Sequence, residues 1–134
     1  MSHYTTVQTE FKSLKALLKA LEELGFTKEM VEIHNDPVNL YGYMGDKRDQ
    51  KAHIVIRRKY VGMLSNDIGF LKKGKTFTAI ISEYDRGRYG KHWQKELKKA
   101  YTKHLTIDQL KKMGCLVSEQ KNEQGQVVLV GTMA

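Results

Sequence analysis

Covalent bracing is nearly absent from this chain, which has one cysteine, Cys115, in 134 residues. That excludes an internal disulfide and any metal or iron–sulfur cage built from several thiolates of one chain, so the fold must hold through packing alone. One proline and 11 glycines are too few for a collagen-like or low-complexity chain. No apolar run approaches the roughly 18 to 20 residues that span a bilayer. The opening MSHYTTVQTEF has neither the basic segment nor the apolar run of a secretory signal. A soluble, cytoplasmic protein with no membrane partner is expected. Catalytic signatures are missing too: there is no GxSxG, Walker A sequence or GxGxxG, and Gly87 and Gly90 in RGRYG are not followed by the Lys-Ser/Thr pair of a phosphate loop.

What the chain does have is ordinary globular composition, with 40% hydrophobic and 28% charged residues. A chain of this length buries roughly two-thirds of its unfolded surface in a single core, so residues 1–134 read as one domain. The net charge is +8 and unevenly placed. Residues 1–45 carry 4 basic and 6 acidic groups, residues 46–105 carry 16 and 6, and residues 106–134 carry 3 and 3. The excess is confined to the middle, where a concentrated field raises encounter rates with anions over about 8 to 10 Å at physiological salt.

The periodicities predict an α+β fold, a mainly antiparallel sheet with two longer amphipathic helices and one short helix packed on it. Residues 3–8 read as an opening strand. Phe11, Leu14, Leu17, Leu18, Leu21 and Leu24 then recur at helical steps, with Thr9 as the expected N-cap, Glu10 at the positive helix start and Gly25 in the left-handed position after the end. Two short strands are expected at Met30–His34 and Leu40–Tyr43, separated by Asn35-Asp36-Pro37, and another at Ala52–Val61 after a charged turn at 46–51. Apolar runs at 67–71 and 76–81 around Lys72-Lys73-Gly74-Lys75 give a hairpin. Trp93, Leu97, Ala100, Tyr101, His104 and Leu105 mark a second helix whose two rings belong to the core, and the capping-box pattern Thr106-Ile107-Asp108-Gln109 predicts a short third helix from 107 to Gly114. A C-terminal hairpin follows, from Cys115–Glu119 to Val127–Val130 around Asn122–Gly125. Leu21–Phe26 echoes Leu110–Cys115; two α/β units on a shared sheet would produce this, and so would helix-stop chemistry alone.

The opening Met1-Ser2-His3-Tyr4, the Leu-rich helix ending in Leu24-Gly25-Phe26, the segment Asp67-Ile68-Gly69-Phe70, and the closing helix with Gly114, Glu119, Gly125 and Val127 to Val130 together resemble the family of the hypothetical chloroplast reading frame thirty-five product, a domain-of-unknown-function family. The likeness spans nearly the whole chain. It implies a soluble protein of cyanobacteria, plastids, other bacteria and phages, and supplies no activity and no catalytic residues. The ending Gly131-Thr132-Met133-Ala134 stands where relatives carry an aromatic, basic one, so any role of that ending does not carry over.

Candidate chemistry is sparse. His3, His34, His53, His92 and His104 show no HExxH or His-x-His spacing, and no thiolate pair completes a zinc site, so neither a metal nor a cofactor is expected. His92 and His104 lie about 18 Å apart along a helix. His3 could be presented at a sheet end, as a structural histidine or as the base of a small-molecule enzyme. Cys115 follows a helix exit, where the dipole disfavours a thiolate, and reads as packing. Asp67, Glu83, Asp85 and Glu96 show no paired spacing, and Asp67 reads as a turn former. The stronger signal is basic: Arg57, Arg58 and Lys59 end one strand, Lys72, Lys73 and Lys75 form a hairpin tip, and Arg86, Arg88, Lys91, Lys95 and Lys98 lead into and along the second helix. We therefore expect a small, non-enzymatic binding or adaptor module with residues 47–103 as its docking surface and an acidic protein as partner. Nucleic acid is the alternative, through phosphate contacts and base stacking. Both expectations require the cations to converge in the folded chain.

Overall fold

The computed structural model describes residues 3–133; Met1 and Ser2 of the opening motif, and Ala134, lie outside the described residues. Seven strands and three helices follow in the order β1 (Tyr4–Phe11), α1 (Leu14–Glu23), β2 (Val31–Tyr41), β3 (Lys47–Ile56), α2 (Arg58–Val61), β4 (Ile68–Lys73), β5 (Thr76–Ser82), α3 (Lys91–Lys112), β6 (Cys115–Lys121) and β7 (Val127–Met133). This is an α+β fold. The first five strands form one antiparallel sheet in the order β1-β5-β4-β3-β2, and β6 and β7 pair separately as a two-stranded sheet. The two halves therefore do not share a sheet, and the echo between Leu21–Phe26 and Leu110–Cys115 reflects helix-stop chemistry. Both segments place a left-handed glycine after a helix, with φ +102° at Gly25 and +84° at Gly114.

The strand β1 runs on to Phe11, so Thr9 lies in the strand and the N-cap of α1 is Ser13, whose Oγ accepts from the N–H of Ala16 at 3.1 Å. The helix buries Ala16, Leu17, Ala20 and Leu21. They meet the sheet face formed by Phe11, Ile54, Ile56, Ile68, Phe70 and Ile81, and α3 adds Leu97, Ala100 and Tyr101 to the same core. Tyr101 ties the two helices to β1. Its ring meets Phe11 edge-on at 5.0 Å, and its hydroxyl oxygen accepts from the N–H groups of Lys12 and Ser13, each at 2.9 Å. Trp93 stands edge-on to Tyr89 at 5.2 Å and Phe26 at 6.2 Å. Tyr101 is buried in the core, as its helical spacing predicts, and Trp93 is half-buried against it.

Three local expectations are corrected. The two short strands at 30–43 are one edge strand, β2, whose pairing with β3 shifts register between Ile33 and Val38 and again between Asn39 and Tyr41. Pro37 is tolerated there because an edge strand can dispense with one N–H. The strand expected from Ala52 to Val61 instead begins at Lys47, so most of the charged segment read as a turn at 46–51 lies in β3, and it stops at Ile56. Arg58–Val61 form the short helix α2, because the N–H of Arg58 turns away from the ladder to a buried carboxylate described below. No helix begins at residue 107: α3 is continuous through Thr106, whose hydroxyl donates to the carbonyl of Thr102 at 2.8 Å instead of capping.

On the second sheet face the distal half of the β2–β3 hairpin folds over β4. Leu40, Ala52 and Val55 are fully buried there with Tyr4 and Ile80. The close approach depends on Gly69, where a Cβ would stand 2.5 Å from the Cβ of Ala52 and 3.0 Å from Cδ2 of Leu40. Among the described residues no helix is long and apolar enough to cross a membrane.

Candidate docking surface

One carboxylate organises the segment between β3 and β4. Asp67 is fully buried. Its Oδ1 accepts from the N–H of Arg58 at 2.7 Å, and its Oδ2 from the N–H of Tyr41 at 2.7 Å and from Nη1 of Arg57 at 2.8 Å. Its own N–H donates to the Tyr41 carbonyl at 3.0 Å, and its carbonyl accepts from the Tyr4 hydroxyl at 2.7 Å. Asp67 is thus the anchor between β1, β2 and α2, a larger role than shaping a turn. Burial, and then the Asp67 charge, push the Tyr4 phenol above its ordinary range. Arg57 extends the network outward: Nε and Nη2 donate to the two oxygens of Glu32 at 2.9 and 3.0 Å, and Glu32 Oε1 lies 2.8 Å from Nε2 of His34. The bonds from Arg57, with help from His34 and against partial burial, hold the Glu32 carboxyl below the usual carboxylate range. The same bonds raise Arg57.

A second buried carboxylate, Asp85, accepts at Oδ2 from the N–H of Asn66 at 3.0 Å, from Asn66 Nδ2 at 3.3 Å and from the Ser82 hydroxyl at 2.7 Å. Asn66 Oδ1 in turn accepts from the N–H of Tyr43 at 3.0 Å. Tyr4 and Asn66 escaped the sequence reading because each works through partners far away along the chain, and Ser82, though only three residues from Asp85, because its burial depends on the fold.

The structure divides the eleven candidate cations into separate groups. Arg57 and Arg58 are engaged inside the molecule, Arg58 through Nη2 to the Met63 carbonyl at 3.0 Å and Nε to the Ser65 carbonyl at 3.3 Å. Lys59 lies over the Tyr60 ring at 5.0 Å. Lys72, Lys73 and Lys75 are exposed at the β4–β5 turn, with Lys72 5.8 Å from the Phe77 ring. Arg86, Arg88 and Lys91 are exposed after the far end of β5, with Arg88 5.6 Å from the Tyr89 ring. A strand of this length separates these two groups by about 20 Å. Convergence is found along α3, where Lys91, Lys95 and Lys98 share one exposed side with Lys99, which the helical spacing could have added.

Beside that side of α3 lies an open cleft of about 980 Å³, closed on its far wall by the start of β7 and at one end by the close of α1. Leu24, Ala100, Val127 and Leu129 line it, with Lys95, Lys98, Lys99 and Lys103 at its rim and Glu23 and Glu96 among its acidic groups. The hairpin β6–β7 is held in place by Lys103, whose Nζ donates to Glu23 and, at 3.2 Å, to Glu119 Oε1. Partial burial disfavours charge on both Lys103 and Glu23, but their mutual bond prevails: Lys103 is raised and Glu23 lowered. His104 Nε2 stands 3.3 Å from Glu23 Oε2, within ion-pair range but not aligned as a hydrogen bond. At the hairpin's other end Gly131 approaches α3 so closely that a Cβ would stand 3.3 Å from Cδ2 of Leu110. A smaller cavity of about 260 Å³ lies between α1 and β2, lined by Leu18, Phe26, Val31 and Ile33.

The remaining candidates do not assemble. His3 and His92 are exposed, His53 Nδ1 accepts from the N–H of Lys72 at 3.0 Å, and Cys115 is half-buried with Sγ 3.7 Å from Sδ of Met133. Among the described residues no group of three His, Cys, Asp or Glu side chains could hold a metal ion. A family model described as "Protein of unknown function (DUF1257)" matches residues 20–130. No curated protein and no solved structure matches the chain.

Proposed function

The chain belongs to the DUF1257 family, and from its own surface we propose that it is a small basic, non-enzymatic binding module acting through protein–protein contacts, with an acidic protein as partner. Within the family we place it beside the chloroplast reading frame thirty-five product, on the ordered motifs from His3 to Val130. The observation that carries the reading is the exposed lysine row Lys91, Lys95, Lys98 and Lys99 on α3. Among the described residues none of the four has an ion-pair partner. Arg86 and Arg88 extend the row at its start, while Lys72, Lys73 and Lys75 form a separate basic tip. Such a row attracts an acidic surface and orients it before contact.

Nucleic acid is the second reading, favoured by the same row because phosphates would meet it equally well. Of the two rings on α3, Tyr101 is buried in the core and Trp93 is half-buried against Tyr89 and Phe26, which leaves little ring surface for stacking and favours protein. The test is quantitative capture from a native lysate by the wild-type chain and by the variant Lys91→Glu, Lys95→Glu, Lys98→Glu, Lys99→Glu, with and without nuclease. Nuclease-resistant capture lost on charge reversal supports the module. Capture that disappears with nuclease and falls log-linearly with salt transfers the function to nucleic acid, and capture indifferent to the charge reversal removes both readings.

A further inference from the structure

We propose that the cleft between α3 and the β6–β7 hairpin receives an acidic amphipathic helix of the partner, with its apolar side chains on Leu24, Ala100, Val127 and Leu129 and its carboxylates against Lys95, Lys98 and Lys99. The inference rests on the protein-binding reading above and gives it a site and a ligand chemistry.

Three features identify this occupant. First, the lining is of two kinds: apolar side chains, one of them Val127 at 51% exposure, and lysines beside them. A half-exposed branched aliphatic side chain at the edge of an apolar floor is an anchor site for an apolar group, and exposed patches of this kind mark interaction surfaces. Second, the charges are available on one side only. Lys103 is already held by Glu23 and Glu119, so it fixes the cleft's shape. Among the described residues Lys95, Lys98 and Lys99 have no ion-pair partner, and Glu96 beside them leaves an excess of cations. A ligand that combines apolar groups with carboxylates matches both walls. A second copy of this chain, with a net charge of +8, is repelled at long range, and its seating here is one outcome of the test below. Third, the cleft follows α3 from Lys95 to Thr106, about 17 Å at the helical rise. That is three turns, enough to seat an amphipathic helix whose anchors at i, i+3, i+4 and i+7 occupy about two.

The test uses the full chain and a fluorescein-labelled synthetic peptide of about 16 residues, with Leu at i, i+3, i+4 and i+7, three or four Glu flanking that stripe, and Ala and Gln elsewhere so that it is helical, followed by fluorescence anisotropy. A peptide of identical composition, shuffled to break the apolar stripe, is the control. Val127→Ser and the triple variant Lys95→Glu, Lys98→Glu, Lys99→Glu are compared with wild type, and thermal melts verify that both are folded. The expected result is wild-type binding about tenfold tighter for the ordered peptide than for the shuffled one, with a loss of about tenfold in each variant. Equal binding of the two peptides, or a Val127→Ser variant that binds like wild type, overturns the cleft. If lysate capture still depends on the α3 lysines in that case, the binding module survives as a purely electrostatic one. Capture insensitive to those lysines removes both. Concentration-dependent dimerisation of the wild type, lost in Val127→Ser, would assign the cleft to a second copy and also overturn the proposal.

Discussion

Replacing Asp67 by asparagine tests whether a negative charge, and not merely a group of that shape, anchors the β3–β4 segment. The side chain is 1% exposed and all three groups facing it are donors: the Arg58 N–H, the Tyr41 N–H and the Arg57 guanidinium. Asparagine has one acceptor oxygen and an NH₂. Whichever way the amide is turned, the NH₂ confronts at least one donor at less than 3 Å, and Arg57 loses its buried counter-charge. Removing one partner of a buried pair costs about 3–5 kcal/mol because the other charge is left uncompensated. The exposed bidentate pair of Arg57 with Glu32 compensates part of that, which places the expected loss at about 3 kcal/mol, the lower end of the range.

A domain of this size has a total stability of about 5–15 kcal/mol. A loss of about 3 kcal/mol at a urea dependence of about 2 kcal/mol per molar moves the midpoint down by about 1.5 M. Urea titration followed by Trp93 fluorescence and by circular dichroism reads this directly, and the shift should survive high salt because a buried pair is poorly screened. Asp67→Ala should lose at least as much. A midpoint for Asp67→Asn within about 0.3 M of wild type, equivalent to less than about 1 kcal/mol, would refute the argument that the carboxylate charge holds this segment.

Three further outcomes follow from the same geometry. Glu32 and Glu23 have lowered folded-state pKa values, so each stabilises the fold above its ordinary value near 4.5 and ceases to as pH falls through the lower folded value; Glu32→Gln should flatten the acid limb of a pH–stability curve and leave the region above pH 8 unchanged in slope. Gly69→Ala should cost about 1–3 kcal/mol in a chemical melt, because its Cβ would meet Ala52 and Leu40 on the second sheet face, and Ala52→Gly in the same chain should recover part of the loss. Ser13→Ala should cost about 1 kcal/mol in the same melt, since its Oγ meets the N–H of Ala16 in the first turn of α1.

The elements whose stability comes from local periodicity were readable along the chain. The apolar stripe of α1, the left-handed Gly25, and the β4–β5 and β6–β7 hairpins depend on neighbours within a turn or two. The end of β3 did not, because Arg58 leaves the ladder for an acceptor nine positions onward, and Asp67 itself is completed by Tyr4, 63 positions away. Thr106 shows the same limit from the other side. Its capping-box spacing is genuine, but a cap forms only where the backbone leaves the helix, and the packing of Leu105 on the core keeps the chain helical through that point. The proposed docking surface was half legible: Lys91, Lys95 and Lys98 share a helical face by spacing alone, whereas the apolar wall opposite them comes from β7 and could not be assigned to α3 from the sequence.

Counting charges also differs from locating them. The basic middle of the chain owes part of its excess to Arg57 and Lys103, whose charges are paired with carboxylates of the same chain, and the surface field is correspondingly narrower than the composition suggests. Lys103 links that field to the cleft beside it. A two-stranded hairpin is at best marginally stable alone, and β6–β7 is fastened to the helices by the Lys103 bonds at Glu119 and by the close approach of Gly131 to Leu110. The wall carrying Val127 and Leu129 is therefore the part of the surface with least support of its own. A ligand seated between it and α3 binds only the assembled arrangement, so occupancy and hairpin order must rise together by linkage. Slower amide exchange in β7 on adding the acidic amphipathic peptide, but not the shuffled one, is the signature of that coupling.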